Sequence, residues 1–301
     1  MKLQCTVERS QPDPFIFQDG DTFYIYVTAK NGVEAYSAKD IFGQWQWEGE
    51  IAKIEGANGY WAPCIIKIDQ TYYLYFSCVR NGEFEYMYVM KGVSPLGPFT
   101  DEKKLFEHFS IDPHVVQTKS GLFLIYSVDD DQAEYAGTRI MIDRMLDPYT
   151  PSCRPVEKVS PTLKEEMNRE KSGEKPWYTI EGGFWFEENG WQYLMYSGAA
   201  YQSEDYHIGY CAAKTTETDL TKVAFVKRLQ NGKFAPVMIK NTAEEGTGHH
   251  SVIKYNGEYY AVYHARDYSD FPTQKKFRTA RIARLIVKDG SIVCPRHDNQ
   301  L

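Results

Sequence analysis

Three carboxylates in turn-forming contexts, Asp13-Pro14, Asp112-Pro113 and Glu181-Gly182, and the pair His249-His250 are the residues of this chain best suited to acid–base chemistry. Hydrolysis of a glycosidic bond needs one protonated acid at the leaving oxygen and one ionised base at a water on the opposite face of the sugar. A third carboxylate can hold up the acid's pKa by like-charge repulsion and fix its orientation. Each dipeptide alone is only a turn signal. Their recurrence is what makes them informative.

Five segments share one pattern, a short leading turn, a strand-like run, a second turn and an aromatic strand centred on Tyr. They begin at Asp13 (DPFIFQDGDTFYIYV), Ala62 (APCIIKIDQTYYLYF), Asp112 (DPHVVQTKSGLFLIYS), Glu181 (EGGFWFEENGWQYLMYS) and His249 (HHSVIKYNGEYYAVYHA). Tyr26, Tyr75, Tyr126, Tyr196 and Tyr263 follow at nearly constant distance. The alternation in Thr22–Val27 and the turn chemistry of Asp19-Gly20, Ser120-Gly121, Asn189-Gly190 and Asn256-Gly257 predict a β-hairpin in each unit. The spacing of roughly 50 to 70 residues suits four-stranded blades, so the expected fold is all-β, a five-bladed β-propeller forming a single domain over 1–301. A β-sandwich is the competing topology. Because the inner strands of a propeller line its axis, Asp13, Asp112, Glu181 and His249 should converge on one face. The three acids are expected at equivalent positions of their units.

One stretch reads as helical: Ser160 as N-cap, Pro161 at the first helical position and acids in the first turns predict a helical insertion near 160–176. The remaining composition narrows the function. The net charge of −7, without a basic stripe, excludes a nucleic-acid partner of the phosphate-neutralising kind. No apolar run is long enough to span a membrane. The N-terminus has no apolar signal-peptide core, which predicts a cytoplasmic protein. Six cysteines without CxxC spacing read as reduced thiols, not a zinc site. An aromatic content of 15% suits both packed sheets and sugar-stacking walls. Asp129-Asp130-Asp131 reads as a solvated turn, and His207 and His264 as structural.

The succession DPFI, YWAP, IDPHV, IEGGFW and GTGHHSV resembles glycoside hydrolase family 43, over roughly residues 10 to 295. That resemblance implies an inverting enzyme on a five-bladed propeller, with Asp13 as general base, Glu181 as general acid and Asp112 as the residue that modulates the acid's pKa. It implies that His249 approaches a calcium ion in the central channel, often through water, and that Arg278 reaches the sugar pocket. Two departures stand out: Glu181-Gly182-Gly183 replaces the family's Glu-Gly-Pro, and His250 stands where relatives often carry Asn. Trp61 is the candidate stacking wall, against a reading as sheet packing. Phe184, with Trp185 and Trp177, flanks the acid, and core packing competes with substrate contact for each. His114 reads as a hydrogen-bonded packing residue.

The resemblance implies an exo-glycosidase releasing terminal α-L-arabinofuranose from arabinan or arabino-oligosaccharides. A β-xylosidase acting on xylo-oligosaccharides is the nearest alternative. A non-catalytic glycan-binding propeller would not need all three acids. A glycoside phosphorylase would need a cationic cluster for phosphate, for which only Arg278 and His249 stand out.

Overall fold

The computed structural model describes residues 1–169, 175–268 and 277–296. Strands form where alternation and turn dipeptides predict them. Ile180–Glu188 pairs antiparallel with Trp191–Gly198 around Asn189-Gly190, and Glu244–Tyr255 with Glu258–Asp267 around Asn256-Gly257. All four turn residues have positive φ, between 50° and 83°, the tight turn whose twist matches that of the strands it joins.

The strands of the described residues assemble into five sheets. The first contains Phe15–Asp19, Thr22–Val27, Val33–Ala38 and Gln44–Ala52, with Gln4–Cys5 added at its outer edge. The second contains Ala57–Ile68, Thr71–Arg80, Glu85–Gly92 and Phe99–Lys104. The third is built on Ile111–Thr118, Gly121–Asp130 and Gly137–Asp147. The fourth runs from Ile180–Glu188 out to Val226–Lys227, and the fifth from Glu244–Tyr255 out to Ser291–Val293. The leading strand of each sheet touches that of the next, and the last touches the first, so the sheets close into a β-propeller arrangement. Ser251 seals that closure: its hydroxyl donates to the Pro14 carbonyl and accepts the Ile16 N–H, both at 2.9 Å.

Apolar side chains fill each junction between sheets. Tyr26, Tyr60, Leu74 and Phe76 pack between the first and second sheets, and Ile16, Phe23, Val262 and Ile282 between the first and fifth. Each such buried side chain contributes about 1.5–3 kcal/mol relative to exposure. The five repeat tyrosines are all buried. They are not equivalent, however. Tyr26 and Tyr75 sit one residue nearer the start of their units than Tyr126, Tyr196 and Tyr263 do, counted from the residue of left-handed φ in each unit. Strand alternation therefore turns them to opposite faces. Tyr26 packs toward the next sheet, whereas Tyr196 and Tyr263 pack toward the preceding one.

The expected helix is not formed. Ser160 to Leu163 is irregular, only Lys164–Glu166 makes a single 3₁₀ turn, and Met167–Arg169 and Trp177–Tyr178 join the third sheet as strands. Residues 170–174 of the expected insertion lie outside the described residues. The reason is Glu166, which is fully buried. Its carboxylate turns into the protein, accepts the N–H groups of Thr162 and Leu163 at 2.7 and 3.0 Å, and pairs with Lys227 at 2.7 Å. This buried ion pair overrides the local capping signal. Asp130, in contrast, forms the expected turn by accepting the Gln132 and Ala133 N–H groups. All six cysteines are free thiols. Among the described residues no helix is long and apolar enough to cross a membrane.

Candidate active site

Five residues where the leading strands meet share a left-handed backbone: Asp13 (φ 55°), Ala62 (44°), Asp112 (59°), Gly182 (62°) and His249 (44°). Asp and His tolerate this conformation better than most residues, whereas Ala pays a strain of about 1–2 kcal/mol for it. The fourth unit corrects the expected equivalence of the three acids. Its left-handed residue is Gly182, so Glu181 is one position earlier, in line with Trp61 and Ile111. Pairing of Glu181, Trp61 and Ile111 with Ser197, Ser77 and Ser127 confirms that alignment. Two acids thus share a position and the third is offset by a residue, yet all three line one pocket.

That pocket is lined by Asp13, Thr28, Trp61, Ile111, Asp112, Glu181, Tyr201, His249 and Arg278, and encloses an empty volume of about 550 Å³, part of it open to solvent. Asp13 sits among hydrogen-bond donors and one cation. Arg278 Nη1 donates to its Oδ1 at 3.0 Å and the Thr28 hydroxyl to its Oδ2 at 2.6 Å. Its backbone N–H donates to His264 Nδ1 at 3.1 Å, and His249 Nδ1 lies 3.5 Å from Oδ1. Burial alone would raise its pKa, but Arg278, with His249 and His264, outweighs burial and holds the carboxylate well below its usual range. Burial pushes His264 down to about 3 and His249 in the same direction, so both are neutral at pH 7 and Arg278 supplies the charge.

Among the described residues no cation forms an ion pair with the other two acids. Burial raises Glu181 to about 7, with the Asp13 charge adding to it and the Tyr206 hydrogen bond and Arg278 opposing it. Burial, then the charges of Glu181 and Asp13, raise Asp112 well above the carboxylate range. The pair keeps a proton that two exposed carboxylates would have lost. Asp112 and Glu181 repel each other as like charges, and the Asp13 charge adds to the rise on both. Asp112 also accepts the Gly182 N–H at 3.1 Å and so fixes the backbone beside Glu181. The Tyr206 hydroxyl donates to Glu181 Oε1 at 2.7 Å.

Trp61 and Arg278 line the pocket, as does Tyr201, whose ring lies 4.6 Å from the Arg278 guanidinium. Phe184 does not. It is buried beneath the acids and stacks on His114 at 4.1 Å, because the extra residue at the Glu181–Phe184 bulge turns it into the axis. His114 accepts the Trp185 N–H at 3.1 Å, a packing role as expected. Trp177 and Trp185 also lie off the pocket lining. Thr28, Tyr201 and Tyr206 escaped sequence reasoning, and His264, read there as structural, meets Asp13. Thr28 and His264 lie beyond the leading strands, and the two tyrosines belong to a non-repeating loop.

For calcium, the donor set is the test. A calcium ion takes six to eight oxygen ligands. Among the described residues no three His, Cys, Asp or Glu side chains are placed to hold one metal. His249 faces Asp13. Among the described residues His250 has no partner at either ring nitrogen, and its cavity is lined by Phe15, Phe184, His114 and prolines together with Asp13, Asp112 and His249. These residues do not fit a calcium held directly by side chains.

Known proteins resemble this chain in sequence and fold. Residues 4–292 match the family described as glycosyl hydrolases family 43. The chain is 27% identical over 251 residues to α-L-arabinofuranosidase B of Pyricularia oryzae, covering 76% of this chain and 48% of that protein. It is 27% identical over 284 residues to an extracellular exo-α-(1→5)-L-arabinofuranosidase of Streptomyces avermitilis, covering 86% and 55%. The chain thus spans about half the length of the curated relatives it matches. A crystal structure of a thermostable family-43 glycoside hydrolase superposes with a TM-score of 0.80 at 26% identity, covering 95% of this chain and 93% of that one. The chain belongs to glycosyl hydrolases family 43.

Proposed function

We propose that this chain is an inverting exo-glycosidase that releases terminal α-L-arabinofuranose from arabinan or arabino-oligosaccharides, with each of the five sheets serving as one blade of a single catalytic domain. The observation that carries the proposal is the difference in surroundings among three buried carboxylates on one pocket. Asp13, kept ionised by Arg278, takes a proton from the attacking water. Thr28 and Arg278 each occupy one of its oxygens and fix the plane of the carboxylate. Glu181 is the acid. Tyr206 occupies Oε1, which leaves Oε2 to carry the proton toward the leaving oxygen. Asp112 holds the Gly182 amide and keeps Glu181 aimed.

A compact pocket walled by Trp61 and Tyr201 supports exo action on a chain end over binding along a polymer. The names of the two relatives support arabinofuranose as the sugar. Proton NMR of early product, over a panel of nitrophenyl pentosides and arabino-oligosaccharides, tests both parts. The expected result is release of arabinose with inverted anomeric configuration. Retention would contradict the role of Asp13, and faster release of xylose would contradict the sugar.

A further inference from the structure

Arg266 is the most deeply buried arginine of the described chain, 1% exposed, and it lies outside the pocket lining. Its Nε and Nη2 meet both carboxylate oxygens of Glu245, itself fully buried. Its remaining donors leave the sheet. Nη1 donates to the Tyr201 carbonyl at 2.8 Å and Nη2 to the Ser203 carbonyl at 2.9 Å. Both carbonyls belong to the connection between Trp191–Gly198 and His207–Lys214. That connection carries Tyr201, which caps Arg278, and Tyr206, which bonds Glu181. A third tie is the Gly246 N–H, donated to the Glu204 carbonyl at 3.1 Å.

The fifth sheet is shaped around these contacts. A Cβ at Gly246, where φ is +59°, would overlap the Arg266 guanidinium, and one at Gly248 would overlap the Tyr206 ring. Arg266 and His264 are two residues apart on one strand and so share a face. His264 stacks on Tyr206, with ring centroids 5.6 Å apart, and meets Asp13 through its ring nitrogen. One strand face therefore supports the base and, through Arg266, the loop that contacts the acid and walls the sugar site.

We propose that Arg266 is a positioning residue, a bidentate clamp that aims the Tyr201–Tyr206 loop at Arg278 and Glu181. A buried ion pair adds little stability over apolar residues of similar volume, whereas planar bidentate bonding fixes geometry. The clamp deepens the glycosidase reading and rests on it for its consequence.

The test uses the double variant Glu245→Leu/Arg266→Met, which removes both charges, and the single variant Arg266→Lys, which keeps the charge and loses the fork. In the double variant kcat on arabino-oligosaccharides should fall by about 10²-fold, the scale of a misplacement of about 1 Å. Cleavage of a nitrophenyl pentoside, whose leaving group needs no proton, should fall less. Arg266→Lys should lie between. Carbon-13 NMR titration of Glu181 should move upward in the double variant as the Tyr206 hydroxyl withdraws. Folded variants with unchanged kcat and an unchanged Glu181 titration would overturn the clamp, as would loss of folding in both, which would make Arg266 a pillar of the fold. A wild-type chain inactive on every pentoside would count against the glycosidase reading alone, because the NMR titration needs no substrate.

Discussion

The two sides of the pocket bury the same functional group and treat it in opposite ways. On one side Asp13 meets a guanidinium, a threonine hydroxyl and two imidazoles and is held ionised. On the other, Asp112 and Glu181 face each other with a phenol and a backbone N–H among their donors and are pushed toward protonation. All three are buried, so burial cannot be what separates them. The neighbours decide, and the decisive one is Arg278.

The largest way to break this contrast is to delete the ionised side. Asp13→Ala should lower hydrolysis of every substrate by about 10³–10⁴-fold, read from initial rates. Glu181→Ala deletes the protonated side and should cost about 10²–10⁴-fold on oligosaccharides while sparing activated aryl pentosides. Equal losses on both substrate classes would remove the acid role. Arg278→Met should erase the contrast without removing a carboxylate. Asp13 must be ionised to act, so loss of the cation raises its pKa, and the acid limb of the kcat/KM profile should move up by about 1–3 pH units. An unmoved acid limb would show that Arg278 does not set the charge. Tyr206→Phe is the mildest change. The hydroxyl favours the ionised form of Glu181, so its loss should raise the alkaline limb above pH 7 by about one unit, with about 1 kcal/mol of stability lost in a thermal melt.

The sequence made the hairpins legible because turn dipeptides and strand alternation are local. It also made Asp13, Asp112, Glu181, Trp61 and Arg278 legible as pocket residues, because they lead repeats or carry a family motif. It concealed the one-residue offset of Glu181, which depends on where the chain bulges and on which residue takes the left-handed φ. The same offset sends Phe184 into the axis. Tyr201, Tyr206 and Arg266 were hidden for a different reason. Their roles arise from a loop of one sheet being tied to the next, and no spacing within a single unit records that. The lost helix is a third case, in which one buried carboxylate, Glu166, outweighs a full set of local capping signals.

The most direct measurement is neutron diffraction from deuterated crystals at neutral pD, which locates the deuterons on the three carboxyl groups. Asp13 should carry none, and the Asp112–Glu181 pair should hold at least one. A deuteron on Asp13, or a pair stripped of deuterons, would contradict the division of labour between the two sides of the pocket.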